Sequence, residues 1–346
     1  MILTIQDIAD LAGVSRGTVD RVIHKRGKVD PKVKKRINAI ISEYNYKPSM
    51  TTQQISLRKQ NIKIGFISKT DQFGFWSIVI RSMEDAEREL EQYGITVEKR
   101  FFDYCFPETQ LKIINEIMDL GISALVIAPL DDPSIASKLS QIRDSGIPIV
   151  LLNTEVKEFE PMCYIGSDYY VGGSTAAGLI NSFSGGKKLN IMVFGGNQFM
   201  TSNTLRSQGF VDEMKKLSPG STIYTVENLT TDVDYAYRLA YDQLVSHPET
   251  EAVLTIPNTG ASVAKAIKDI GKVGRIIHVA YGMTDSTRPG IQDGSISAIV
   301  GHRAEQQGRI PFNILLDYFL SGKLPESKRI LMLNDIFIKQ NSIFSR

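Results

Sequence analysis

Apolar positions fall into three short helical stripes over the first 44 residues. Ile5, Ile8, Ala9 and Ala12 share one face, with Thr4 as the N-cap and Asp7 three residues later in the manner of a capping box. Gly13 ends that helix and Val14 enters a tight turn. Ser15 caps a second segment whose buried face is Val19, Val22 and Ile23. Asp30 followed by Pro31 opens a third, carried by Val33, Ile37, Ile40 and Ile41 to Tyr44. Two short helices joined by a glycine-containing turn, with a third packed behind, form a helix-turn-helix arrangement. Such a motif lays its second helix in the major groove, with its first residues near base edges.

From residue 62 the pattern changes to short apolar runs alternating with helical segments. Runs at 62–67, 95–101, 124–127 and 147–152 predict strands, with helices at 77–93, 107–120 and 133–145 between them. Gly94, Gly121 and Gly146 end those helices just before the next strand. The cycle resumes with helices at 171–183, 202–217, 232–246 and 260–270 and strands at 189–194, 222–227, 252–256 and 276–281. Alternation of this kind predicts parallel sheets covered on both faces. The units are too many for one compact sheet, and the pattern breaks near 153–168. The expected fold is a small all-α head followed by an α/β body of two parallel-sheet lobes.

Charge divides at the same place. The 346 residues carry a formal net charge of only +2. Residues 1–60 nevertheless hold 12 basic against 5 acidic residues, while the rest hold 28 against 33. A basic head on a mildly acidic body points to a polyanion-binding head. Within it, Arg16, Gly17, Thr18 and Arg21 project from the start of the second helix, and the backbone N–H groups near Ser15 are placed to meet a phosphate. Lys25, Arg26, Lys28, Lys32, Lys34, Lys35 and Arg36 read as neutralisers of the nucleic-acid backbone rather than as base readers.

Several classes are disfavoured. Cys105 and Cys163 are the only cysteines, which suits a reducing compartment and argues against thiolate zinc. The four histidines show no metal-ligand spacing, so no metal is expected. No Gly-x-Gly-x-x-Gly, Walker loop or Gly-x-Ser-x-Gly elbow is present, so neither a cofactor nor an enzyme of those types is expected. The acids Asp7 and Asp10 and the lack of an apolar run of 18 residues predict a cytoplasmic chain without a membrane partner.

Open parallel sheets bind ligands at the carboxyl ends of their strands. The first strand leads into Phe75 and Trp76, which suit the apolar face of a sugar ring or else pack the start of the next helix. The third leads into Asp131, a candidate acceptor for two hydroxyls, beside Asp132-Pro133, which also reads as an ordinary helix cap.

The runs Thr4-Ile5-Gln6-Asp7-Ile8-Ala9, Ala12-Gly13-Val14-Ser15 and Thr18-Val19 resemble the DNA-binding head of the lactose-repressor (LacI) family of bacterial transcription regulators. Tyr44-Asn45-Tyr46-Lys47-Pro48-Ser49 resembles that family's lead into its hinge. The resemblance implies a DNA-binding domain over 1–48 and a hinge over 49–60 that becomes helical on DNA. It places Arg16, Gly17 and Arg21 at base-reading positions and Ile55 where a minor-groove wedge stands. Asp20 and His24 depart from the commoner residues, so operator sequence does not carry over.

The body, 61–346, resembles the type I periplasmic sugar-binding fold that the family uses as its effector domain. The resemblance implies lobes of about 61–153 with 303–330 and 154–302 with 331–346. It also implies stacking by Phe75 and Trp76 and a sugar-binding role for Asp131. Thr204 is the closest match to a ligand-binding arginine, and Arg206 is a basic neighbour. Asn258 and His302 match polar ligand positions. Gly282 stands where an aspartate is common, and with Met283 it implies a pocket with fewer acceptors. The implied partners are an inverted-repeat double-stranded DNA operator, a sugar-like small molecule and a second copy of the chain. A solute-binding protein and a sugar-processing enzyme are the alternatives; the first conflicts with the basic head and the missing export signal.

Overall fold

Helix α1 (Ile5–Ala12) stops where Gly13 takes a left-handed backbone, φ +61°. The Val14 N–H then reaches back to the Ala9 carbonyl at 3.0 Å, satisfying an orphan acceptor of the last turn. Helix α2 (Arg16–Ile23) follows after the three residues Gly13, Val14 and Ser15, and α3 (Pro31–Glu43) starts on the Asp30 cap. That carboxylate accepts from the N–H groups of Lys32 at 2.8 Å and Val33 at 3.2 Å. Ile8, Ala9, Ala12, Val19, Val22 and Ile37 close a small core. The computed structural model describes residues 5–23, 29–44, 54, 57–70, 74–102, 106–196, 200–227 and 232–342. They fall into two units, Met1–Gln60 and Asn61–Arg346. Thr4, Lys25, Arg26, Lys28 and Ile55, together with most of the expected hinge, lie outside the described residues.

In the second unit, β1 (Lys63–Lys69), α4 (Phe75–Leu90), β2 (Thr96–Phe102), α5 (Pro107–Met118), β3 (Ala124–Ile127), α6 (Pro133–Asp144), β4 (Ile149–Leu152) and β5 (Cys163–Ser167) build the first lobe. The second lobe contains α7 (Tyr169–Ser184), β6 (Asn190–Phe194), α8 (Thr201–Leu217), β7 (Thr222–Val226), α9 (Val233–Ser246), β8 (Ala252–Thr255), α10 (Gly260–Asp269), β9 (Ile277–Tyr281), α11 (Arg288–Asp293) and β10 (Ala298–Gly301). Helix α12 (Ala304–Ser321) and β11 (Arg329–Met332) return to the first lobe, and β12 (Asp335–Phe337) goes back to the second.

The first sheet has the order β11-β5-β4-β3-β1-β2 and is parallel throughout. The second has the order β12-β10-β9-β8-β6-β7, with only β12 antiparallel. β3 and β4 are buried at every residue, as four-residue apolar strands covered on both faces must be. Each sheet therefore sends its strand ends toward the loops that can meet across an interlobe cleft.

The lobe boundaries differ from the sequence expectation. β5 pairs with β4 and β11 in the first sheet, so the chain first crosses at Asp168 and not near 153. No helix separates β4 from β5, and this missing punctuation disguised the strand as part of the break. β11 reaches Met332, which puts the last crossing at 333–334 rather than near 330. Helix α12 lies against α4, where Gly308 permits backbone contact: a Cβ there would stand 2.3 Å from the Val79 carbonyl oxygen.

Candidate functional site

The head presents one consistent face. Ser15 Oγ accepts from the Thr18 N–H at 3.2 Å and lies 2.9 Å from Thr18 Oγ1, which fixes the start of α2. Arg16, Gly17 and Arg21 are exposed there, opposite the buried Val19 and Val22. Arg21 Nε donates to the Gly17 carbonyl at 3.1 Å, so its guanidinium is steadied over the surface that Gly17 leaves without a side chain. Lys32, Lys34, Lys35 and Arg36 stand exposed on α3. This is an electropositive surface with a capped helix start, the chemistry that phosphates and base edges require.

The body brings its candidate residues together in two groups. In the first, Phe75 stacks on His302 with ring centroids 4.9 Å apart and meets Trp76 edge-on at 5.0 Å. Gly282 has φ +79°, and a Cβ there would lie 2.7 Å from Asn258 Oδ1 and 3.8 Å from His302 Cε1. The left-handed backbone favours glycine, and a side chain there would have to displace the Asn258 amide. Met283 is half-buried and leans on a small apolar cluster around Ile291 and Ile299. Phe75, Gly282, Met283 and His302 line a cavity of about 830 Å³, shared with Arg81 and Arg303. His302 is buried and its ring pKa is pushed down to about 3, first by burial and then by the charge of Arg206. The imidazole is thus neutral at neutral pH, and its Nδ1 has no hydrogen-bond partner.

The second group spans the lobes. Asp131 Oδ1 accepts from the Lys157 N–H at 2.9 Å, while Thr201 Oγ1 reaches Asp131 Oδ2 at 3.4 Å from the opposite lobe. Lys69 Nζ approaches Met200 Sδ at 3.5 Å across the same seam. Within the second lobe, the Arg206 guanidinium stands 4.3 Å from the Tyr281 ring centroid and 4.9 Å from that of Tyr169. Thr204 stands exposed on α8, with its hydroxyl donating to the Thr201 carbonyl at 3.1 Å. Arg206, the neighbour, is the buried one.

Tyr169, Tyr281 and Thr201 were not singled out by sequence reasoning. The signal that could have found them is the small-residue face shared by α7 and α8. A Cβ at Gly173 would lie 2.1 Å from the Arg206 carbonyl oxygen, and one at Gly209 would lie 2.1 Å from that of Tyr170. Backbone contact between these helices is what sets Arg206 against Tyr169. Among the described residues, no cluster of histidine, cysteine and carboxylate side chains is arranged to hold a metal ion, and no helix is long and apolar enough to cross a membrane.

A helical DNA-reading head and a two-lobed body with opposed strand ends define a class: a nucleic-acid-binding module joined to a fold that closes around small solutes. Residues 4–49 match the lacI family of bacterial regulatory proteins, and residues 64–324 match the periplasmic binding protein domain. The chain belongs to the LacI family of bacterial transcription regulators, with a periplasmic-binding-protein-like body. It is 23% identical over 340 residues to catabolite control protein A of Staphylococcus epidermidis, covering 89% of this chain and 99% of that protein. It is also 23% identical over 232 residues to a D-ribose/D-allose-binding protein of Pseudomonas aeruginosa, covering 64% and 70%. A periplasmic solute-binding protein of Actinobacillus succinogenes with bound D-allose shares the fold, with a TM-score of 0.74, 16% identity, and 82% and 100% coverage.

Proposed function

We propose that this chain is a transcriptional repressor whose operator affinity is set by a sugar-like molecule bound between the lobes of its body. The observation that carries the reading is the pairing, in one chain, of a capped reading helix with a body whose lobes touch through strand-end side chains, Asp131 with Thr201. A ligand that fits the closed arrangement better than an open one biases a two-state equilibrium, and that bias is available to control the order of residues 49–60. Ser15 and Thr18 orient the helix on phosphate, Arg16 and Arg21 read bases, and Gly17 leaves room between them. Thr4, Lys25 and Lys28 add backbone contacts and Ile55 wedges the minor groove. Two copies of the chain present two heads to an inverted repeat, in the cytoplasm. Regulators and sugar-binding proteins among the relatives support a regulator over an enzyme.

Selection of binding sites from random duplex DNA, with and without a panel of sugars and polyols, tests the reading. A two-fold-symmetric motif is expected whose recovery changes with one ligand class. Changing Arg16 and Arg21 together to alanine should abolish the motif while leaving weak, salt-sensitive binding. An unchanged motif in the double variant would overturn the reading role of those arginines.

A further inference from the structure

Two contacts between the chain's own side chains join the lobes at the seam. Asp131, just beyond β3, accepts the Thr201 hydroxyl at 3.4 Å from the start of α8. Lys69, the last residue of β1, brings its ammonium to 3.5 Å from Met200 Sδ. Both contacts lie away from the crossings. The chain passes between the lobes at β5, β10, β11 and β12, which stand toward one end of each sheet. β1 and β3, and β6 before α8, stand toward the other end. Opening about the crossings displaces such positions most, so a contact here resists it with the longest lever.

Asp131 is prepared for that contact by its own lobe. Its Oδ1 accepts the Lys157 N–H at 2.9 Å, and the Lys157 ammonium stands 3.8 Å from Oδ2, the oxygen that meets Thr201. Val156 and Phe159 anchor the Lys157 segment in the first-lobe core, so this N–H is a fixed donor that orients the carboxylate. The Asp131 side chain is only 14% exposed, and a hydrogen bond to a carboxylate partly withdrawn from water gains strength. Neither Asp131 nor Thr201 lines the cavity of about 830 Å³ that Phe75, Gly282, Met283 and His302 share. The resemblance gathers Asp131 and those four around one sugar. The fold separates them, with the cavity on one side and the carboxylate in the seam.

We propose that Asp131 and Thr201 form an interlobe latch, so that the ligand-free body already favours the closed arrangement and the carboxylate serves the ligand through closure. The proposal rests on the reading of the body as a two-state effector domain and adds what biases the two states. A ligand that fits the closed arrangement then binds a population the latch supplies. Losing the latch lowers its apparent affinity in proportion to the closed fraction.

Small-angle scattering of the ligand-free full chain tests this. Thr201→Val and Asp131→Ala should each expand the chain, because losing a hydrogen bond to a carboxylate moves the open–closed balance by roughly three- to tenfold. The double variant should expand no further than either single one, since both remove the same contact; greater expansion would overturn the pairing. Thr201→Ser keeps the hydroxyl and should scatter as the unaltered chain does. Operator binding is the second readout. Without ligand, Thr201→Val should shift affinity for the selected motif opposite to the shift caused by the panel sugar or polyol that alters motif recovery. One removes closure and the other adds it. Variants that scatter like the unaltered chain, or a shift in the ligand's own direction, would overturn the latch and return Asp131 to the ligand. If no panel member alters motif recovery while the variants still expand, the sugar-like effector falls and the latch stands. Thr201→Val exchanges only a hydroxyl for a methyl group, so it decides the matter even where Asp131→Ala fails to fold.

Discussion

His278 and His302 are both buried in the body, and neither has a carboxylate to hold a proton. The His278 ring is bracketed by Thr255 Oγ1 and the Ser295 carbonyl, each at 2.9 Å, and burial pushes its pKa down to about 4. For His302 the value is about 3. Unfolded histidine takes up a proton near pH 6.5, whereas these folded rings resist it. Their contribution to stability is therefore complete above about pH 6.5 and is lost as pH falls toward 4, with a slope of up to ~1.4 kcal/mol per pH unit for each ring. Urea unfolding should show this decline between pH 6.5 and 5, above the range where most carboxylates titrate. His278→Gln should flatten it, and a level profile across that window in the unaltered chain would refute the account. At the same scale, Gly282 shows how a letter misleads. Read as a lost carboxylate, it is equally a backbone preference, because φ +79° favours glycine and a side chain there would have to displace the Asn258 amide.

Helices α7 and α8 pack through Gly173 and Gly209, and the contact places Arg206 by geometry. Gly209→Ala would drive a methyl group into the Tyr170 carbonyl, forcing the helices apart. A loss of roughly 1–3 kcal/mol in urea unfolding is expected. Weaker ligand binding should accompany it, because Tyr169 and Arg206 would separate; titration of the same variant checks both. Most elements were legible because their punctuation is local: Asp30-Pro31 before α3, Gly13 after α1, Gly94 before β2. β5 was not, since a five-residue strand with no helix before it carries no period of its own. Nor could spacing along α8 rank Thr204 against Arg206, because the neighbouring α7 decides which face of α8 is covered.

For the body as a whole, the crossings matter most. At the second, Arg303 adopts φ +49°, strained for a residue with a side chain, and its guanidinium forks onto Asp335 through two 2.9 Å hydrogen bonds. Asp335 opens β12, just after the third crossing, so the ion pair ties two of the three connections together. Asp335→Asn removes half of that clasp. The expected result is a several-fold shift in the ligand concentration needed for lobe closure, followed by small-angle scattering, with the operator motif unchanged. An unchanged closure curve would assign the pair to local stability alone.

The sequence by itself determined the helix-turn-helix head, the alternation that makes two parallel sheets, and the family, because periodicity, caps and turn glycines act between residues near one another along the chain. Only the tertiary structure decided that β5 and β11 belong to the first sheet, that Asp131 meets Thr201 across the lobes, and that Arg206 is buried against Tyr169 and Tyr281. Burial and charge balance are set by residues far apart in the chain, here Tyr169, Arg206, Tyr281 and His302, and their sum exists only once the chain has folded around them.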